Sequence, residues 1–118
     1  MKLRLKHNSI RLRLTQTEVA QLRDGGVVEE YIEFPQAGRL TYRIEAGGDA
    51  VTALYRDGNI LLAVPRPMIE AWANSSRVGM EADGPLRILI EKDFQCLDAA
   101  DPKDNIDTFP NPQEGKIC

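Results

Sequence analysis

The chain has 118 residues, of which 42% are hydrophobic and 28% charged, and its formal net charge is −3. That length supports one core but not two, and the composition is that of an ordinary globular domain. A net negative charge gives no overall pull toward nucleic acid, and no apolar run approaches the length of a membrane span.

Met1 to Lys6 alternates, with Leu3 and Leu5 on one side and Lys2, Arg4 and Lys6 on the other. His7-Asn8-Ser9 is a polar turn. Ile10, Leu12 and Leu14 then alternate with Arg11 and Arg13, so the opening stretch predicts a hairpin. Thr15-Gln16-Thr17-Glu18 has the form of a capping box. It opens a short helix to about Asp24, with Val19 and Leu22 on its apolar side, and Gly25-Gly26 ends it.

Val27 to Phe34 is the next strand, with imperfect alternation because Glu30 shares a face with Val28, Ile32 and Phe34. A turn at Pro35 to Gly38 leads into Arg39 to Ala46, where Leu40, Tyr42 and Ile44 share one face. Val51 to Arg56 and Ile60 to Val64 flank Asp57-Gly58, the strongest hairpin dipeptide in the chain. Pro65-Arg66-Pro67 opens a second short helix, with Ile69, Trp72 and Ala73 as its stripe. Val78 to Ala82 and Leu86 to Lys92 are the last strands, separated by Asp83-Gly84-Pro85.

From Asp93 the periodicity dissolves into an acidic, proline-containing tail. It is expected to pack on the body through Phe94, Leu97, Ile106 and Phe109. Charge is distributed unevenly. Residues 1–14 hold Lys2, Arg4, Lys6, Arg11 and Arg13 without an acid, whereas residues 91–115 are rich in Asp and Glu. The plainest consequence is neutralisation within the fold.

A shift of fifty residues aligns like with like. Ile10, Leu12 and Leu14 fall on Ile60, Leu62 and Val64; Val19 falls on Ile69, Leu22 on Trp72 and Val28 on Val78. After a shorter turn in the second half, Leu40, Ile44 and Glu45 fall on Leu86, Ile90 and Glu91. The expected architecture is therefore α+β: a duplicated strand–strand–helix–strand–strand unit. It should form an antiparallel barrel or half-barrel with two short helices. Residues 1–97 would be one domain, with repeats at about 1–46 and 51–92, and residues 98–118 the tail.

Several groups carry chemistry. Lys2, Arg4, Lys6, Arg11 and Arg13 share one side of the first hairpin, and Arg43 is a candidate to join them. Arginine forks suit phosphate or carboxylate, although a wet sheet face balanced by Glu29, Glu33, Glu45 and Glu91 is the plainer account. Glu45 and Glu91 sit at matching positions and could hold a divalent ion, but hard cations gather more oxygens than these two supply. Cys96 has no base nearby in sequence, and the single histidine, His7, lies in a distant turn. With two cysteines and no Cys–X–X–Cys pair, neither a zinc site nor a disulfide scaffold is expected. No cofactor is implied. Cys118 lacks the residues that follow a prenylated cysteine. The charged start is not signal-like, so a cytoplasmic protein with reduced thiols is expected.

The segments Met1-Lys2-Leu3-Arg4, Asn8 to Thr15, Ile90 to Leu97 and Phe109-Pro110-Asn111-Pro112 resemble a small family of uncharacterised bacterial proteins. That resemblance covers nearly the whole chain and implies no activity. By architecture alone, two strand–helix–strand units closing a barrel look like the CYTH group of triphosphate hydrolases. In that group, inward Arg and Lys bind polyphosphate and glutamates hold a metal. The opening strand here, Lys2-Leu3-Arg4-Leu5-Lys6, lacks the alternating glutamates of that group. The expected function is a non-catalytic module that binds a phosphate-containing anion or a partner protein through its basic strand face. The alternative is a CYTH-like phosphohydrolase. The ligand-binding candidates are Lys2, Arg4, Arg11, Arg13, Arg43, Glu45 and Glu91.

Overall fold

Wherever hydrophobic residues alternate with period two, a strand forms that buries one face. The elements run β1 (Lys2–Lys6), β2 (Ser9–Leu14), α1 (Gln16–Gly25), β3 (Val27–Phe34) and β4 (Gly38–Ala46). They continue with β5 (Thr52–Arg56), β6 (Asn59–Val64), α2 (Arg66–Ala73), β7 (Gly79–Ala82) and β8 (Arg87–Lys92). The computed structural model describes residues 1–94 and 107–110.

The α+β class holds, but the antiparallel barrel does not. The strands form two four-stranded sheets: sheet A in the order β1-β2-β8-β7 and sheet B in the order β3-β4-β6-β5. Each sheet is mixed. Two antiparallel hairpins meet along a central parallel pair, β2 with β8 and β4 with β6. Tight turns dictate the pairing within a hairpin. The second neighbour of β2 comes from the far end of the chain, after α1 has carried the backbone across to the other sheet. Periodicity contains no information on that long-range choice.

The two sheets share one core. Leu12, Leu14, Ile44, Leu62, Val64 and Ile90 are fully buried, as are Leu22, Ile69 and Trp72 from the two helices. Equivalent registers recur fifty residues apart. Leu3 faces Leu12 and Leu5 faces Ile10 in the first hairpin; Ala53 faces Leu62 and Tyr55 faces Ile60 in the other. His7 and Asp57 both adopt left-handed backbone, with φ of 50° and 49°. Val78, aligned with Val28 by the fifty-residue shift, is exposed, and Met80 is the buried residue at that end of sheet A.

Helix α1 is fully capped. Thr15 accepts from the Glu18 backbone while Glu18 Oε1 accepts from the Thr15 backbone at 3.0 Å, completing the capping box. Asp107 takes two more donors, its carbonyl from Gln16 N at 3.0 Å and its Oδ2 from Thr17 N at 3.1 Å. These contacts satisfy the donors that a helix start leaves open. Gly26 closes the helix in left-handed backbone (φ 82°). Helix α2 has no side-chain cap and begins with proline in its first turn.

Of the tail, residues 107–110 dock beside α1. Phe109 packs against Phe94, with ring centroids 5.8 Å apart, and its N–H donates to the Asp93 carbonyl at 2.8 Å. Leu97 and Ile106, expected to share this contact, lie outside the described residues.

Helix α1 follows the end of β2 and finishes beside the end of β4, where Ala46 N donates to the Gly26 carbonyl. Helix α2 follows the end of β6. The helices therefore cover the carboxyl ends of the central strands. Among the described residues, no helix lies over the opposite end, where β2, β4, β6 and β8 begin.

Candidate functional site

The first hairpin faces outward with its charges. Lys2 stands opposite Arg13, Arg4 opposite Arg11 and Lys6 opposite Ser9. Alternation gives these residues the outer side, because Leu3, Ile10, Leu12 and Leu14 occupy the inner one. Arg4, Lys6, Ser9 and Arg11, with Leu89 of β8, line a hollow of about 190 Å³.

Like charges directly opposite one another are unfavourable unless a counter-charge neutralises them. Glu91 supplies part of it, with Oε1 lying 3.3 Å from Arg11 Nε and 3.7 Å from Arg13 Nε. Asp93, almost wholly buried, receives Lys2 Nζ at 2.9 Å. Among the described residues no acid reaches Arg4 or Lys6. The Nε of Arg11 makes no hydrogen bond despite its closeness to Glu91, because proximity without alignment does not form one.

Five of the seven candidates, Lys2, Arg4, Arg11, Arg13 and Glu91, thus gather on sheet A. The other two do not join them. Arg43 and Glu45 lie on β4 of sheet B, where Arg43 bridges Glu29 at 3.3 Å and Glu45 at 3.2 Å. Cys96 lies outside the described residues. No group of three or more metal-ligating side chains occurs among the described residues, and no helix there is long and apolar enough to cross a membrane.

Sequence reasoning missed three features. The first is a cluster around the Met1 α-amino group, which pairs with Glu18 and, at 2.6 Å, with Glu30. The Tyr42 hydroxyl, with one hydrogen to give, donates to Glu30 at 2.9 Å and lies 3.2 Å from the Met1 carbonyl. Burial opposes the ammonium, but the two carboxylates outweigh it and raise its pKa. Burial likewise opposes the Glu18 carboxylate, but the hydrogen bonds from the ammonium and the Thr15 backbone outweigh it and lower its pKa. The Tyr42 hydroxyl, desolvated and beside Glu30, is pushed up to about 12. Glu30 on the inward face of β3, out of place in the alternation, was the signal for this cluster.

The second is Lys92, buried at the inner end of β8. Its Nζ donates to the Ser75 carbonyl just beyond α2 at 2.6 Å and lies 5.5 Å from the Phe109 ring and 6.0 Å from Trp72. Desolvation lowers its pKa. A cation placed against the carbonyl end of a helix and aromatic faces is accounted for by those contacts alone.

The third is an apolar cleft at the end without helices. Its volume is about 440 Å³, and Leu5, Ile10, Leu40, Tyr55, Ile60 and Leu86 form most of its wall. Leu5 and Tyr55 remain exposed there, at 57% and 69%. Among the described residues the two short helices lie over the other end of the core, and the apolar residues at the strand starts stay open. That imbalance was legible in the chain.

Residues 1–113 match the Family of unknown function (DUF7009), and the chain belongs to that family. No curated protein and no solved structure matches it, so no similarity to the CYTH group is found.

Proposed function

We propose that the protein is a binding module whose outer hairpin face on sheet A takes a phosphate-containing anion. The observation that carries this reading is the hollow of Arg4, Lys6, Ser9 and Arg11. Within it two arginines stand directly opposite one another, and Glu91 reaches Arg11 but no acid among the described residues reaches Arg4. An anion would neutralise the cross-strand repulsion and accept from both guanidinium forks.

Binding is preferred over hydrolysis because Arg43 and Glu45, which a tunnel-type phosphohydrolase would bring to the same cavity, sit on the other sheet. Internal duplication belongs to the same reading. The equal registers of β1–β2 and β5–β6, and the parallel pairs β2–β8 and β4–β6, support it. On that view the anion site is a specialisation of one copy, since Arg11 and Arg13 align with Leu61 and Ala63.

The test is thermal denaturation with inorganic phosphate, pyrophosphate and triphosphate, with and without Mg²⁺. Chloride at matched ionic strength controls for general salt effects. A ligand at a hundred times its Kd adds about 2.7 kcal/mol, which is a rise of roughly 10 °C or more for a domain of this size. The rise should disappear in Arg4→Gln. Equal shifts in the variant and the parent protein, or none in either, would end the anion reading. Phosphate released from triphosphate by the parent protein but not by Arg4→Gln would favour the phosphohydrolase.

A further inference from the structure

We infer that the chain associates with a second copy of itself through the open edge of β5. The two β5 strands pair antiparallel about a two-fold axis at Leu54 and join the two B sheets into one.

Among the described residues the sheets end in β1 and β7 on one side and β3 and β5 on the other. An open edge presents unpaired N–H and C=O groups, and proteins blunt such edges with charge or by keeping them short. Strand β7 has four residues, one of them Glu81. Strand β3 carries Glu29, Glu30 and Glu33, and β1 carries Lys2, Arg4 and Lys6. Strand β5, Thr52-Ala53-Leu54-Tyr55-Arg56, has a charge only at its end, and Leu54 and Tyr55 are mostly exposed. It lacks the protection of the other edges.

The hairpin sets which backbone groups face out. Asp57 and Gly58 are both left-handed, with φ of 49° and 79°, and such a two-residue turn makes Arg56 and Asn59 a hydrogen-bonded pair. Alternation then directs the backbone groups of Thr52, Leu54 and Arg56 toward β6 and those of Ala53 and Tyr55 toward the open side. Among the described residues nothing bonds to those outward groups. A copy centred on Leu54 sets Ala53 opposite Tyr55 in both directions and satisfies every one of them.

The side chains suit the same register. Leu54 meets its own copy on the outer face, beside Leu61. On the inner face the small Ala53 meets Tyr55, and the apolar cleft beside Ala53, Ile60 and Leu86 has space for the incoming ring. Thr52 meets Arg56, so no like charges stand opposite one another. The cationic end of each strand lies toward the lead-in of the other, which holds Asp49. The same operation on β1, whose hairpin has an equal register, would set Arg4 against its own copy and Lys2 against Lys6. Charge therefore bars the matching edge from the pairing that β5 allows, and the interface is self-complementary as a two-fold requires.

The test is sedimentation of the full chain over a wide range of loading concentrations, which should show a reversible monomer–dimer equilibrium. Leu54→Lys, at an exposed position, sets like charges across the axis and should weaken association roughly tenfold or more. Ala53→Pro removes an outward donor while leaving the ladder to β6 intact, and should weaken it comparably. Cross-linking reads the register, in a Cys96→Ser/Cys118→Ser background that forms no covalent dimer itself. Leu54→Cys should give a covalent dimer on mild oxidation, because opposed residues at such a non-hydrogen-bonded site lie about 4.5 Å apart, within disulfide range. Thr52→Cys and Arg56→Cys should each fail alone and cross-link when mixed.

A dimer of unchanged strength in both Leu54→Lys and Ala53→Pro would overturn the assignment to β5. Cross-linking of Thr52→Cys or Arg56→Cys alone, as readily as of Leu54→Cys, would overturn the antiparallel register. A protein monomeric at every concentration would overturn the inference altogether. If the melting temperature of that monomer rose with a medium-chain alcohol, the cleft would be a small-ligand site instead. If it rose with a synthetic peptide of residues 51–57, the edge would serve a strand from a different chain.

Discussion

The β1–β2 and β5–β6 hairpins have the same length and register, and each turn opens on a left-handed residue, yet they present different outer faces. Arg4 opposite Arg11 in one is Leu54 opposite Leu61 in the other, and Lys2 opposite Arg13 is Thr52 opposite Ala63. The inner faces do not differ in this way: Leu12 and Leu62 are both fully buried, as are Leu14 and Val64. Inner positions are constrained by a close-packed core, in which a missing methylene is felt. Outer positions meet water and are free to diverge. The comparison therefore separates what builds the fold from what distinguishes one hairpin from the other.

The largest effects should fall where the hairpins agree. Leu12→Ala and Leu62→Ala should each cost about 2–5 kcal/mol, read as a lower denaturant midpoint at unchanged slope. The two costs should lie within ~1 kcal/mol of each other. A much smaller loss at Leu62 would mean that the two sheets do not contribute equally to the core.

The two helix starts differ, and the next effects appear there. Glu18 serves both the cap and the Met1 ammonium, and the residue fifty positions on is Met68. Glu18→Gln should cost roughly 1.5–3 kcal/mol at neutral pH, the scale of hydrogen bonds to a charged group, whereas Met68→Gln removes no such contact. The pH dependence has two limbs. A lowered carboxyl pKa gives stability that is present above the ordinary carboxylate range and lost as pH falls through the folded value. A raised ammonium pKa gives stability that is present below the ordinary amine value and lost as pH rises through the folded value. Urea midpoints should be highest between those limits, and Glu18→Gln should flatten both limbs. Thr15→Ala should cost about 1 kcal/mol by removing the cap oxygen. Helix α2, which begins at proline, has no equivalent bond to lose.

These contrasts also show how much was legible in the sequence. Helix α1 was legible because Thr15, Glu18 and Gly26 act within a few residues of one another. Strands were legible because alternation is local. Sheet membership was not, because the parallel partner of β2 is nearly eighty residues away and either sheet would satisfy the same alternation. The basic face was legible as a face, and five of its seven proposed members do share it. Arg43 and Glu45 could be assigned to it only by knowing which sheet β4 joins. The cleft was implied by Leu5, Tyr55 and Leu86, which two short helices cannot also cover.

Converting one outer face into the other tests the difference itself. Arg4→Leu/Arg11→Leu gives the first hairpin the apolar pair of the second. It removes a cross-strand repulsion and also a partly exposed ion pair with Glu91, each worth ~1 kcal/mol or less. Stability should therefore move by no more than ~1 kcal/mol, while phosphate-induced stabilisation is lost. A large loss of stability would place these arginines in the scaffold instead of a binding face.

The smallest effect concerns the last residue of each central parallel pair. Leu14 ends opposite Lys92, and Val64 ends opposite Ala46. The alanine loses nothing on burial, whereas the lysine is desolvated and its pKa lies below the ordinary value. Between the folded and ordinary pKa values the unfolded chain binds more protons than the folded one, so stability rises with pH across that window. Below it the charged lysine is a standing cost, offset by the Ser75 carbonyl and the Phe109 and Trp72 rings. Lys92→Met keeps the length of the side chain and removes the charge. It should change stability at neutral pH by less than ~1 kcal/mol, because the desolvation cost of the ammonium is removed together with its bond to the Ser75 carbonyl. The rise with pH over that window should disappear from the denaturation midpoints. If Lys92→Met instead destabilised the protein strongly at every pH, the bond to Ser75 would be holding the loop after α2 in place.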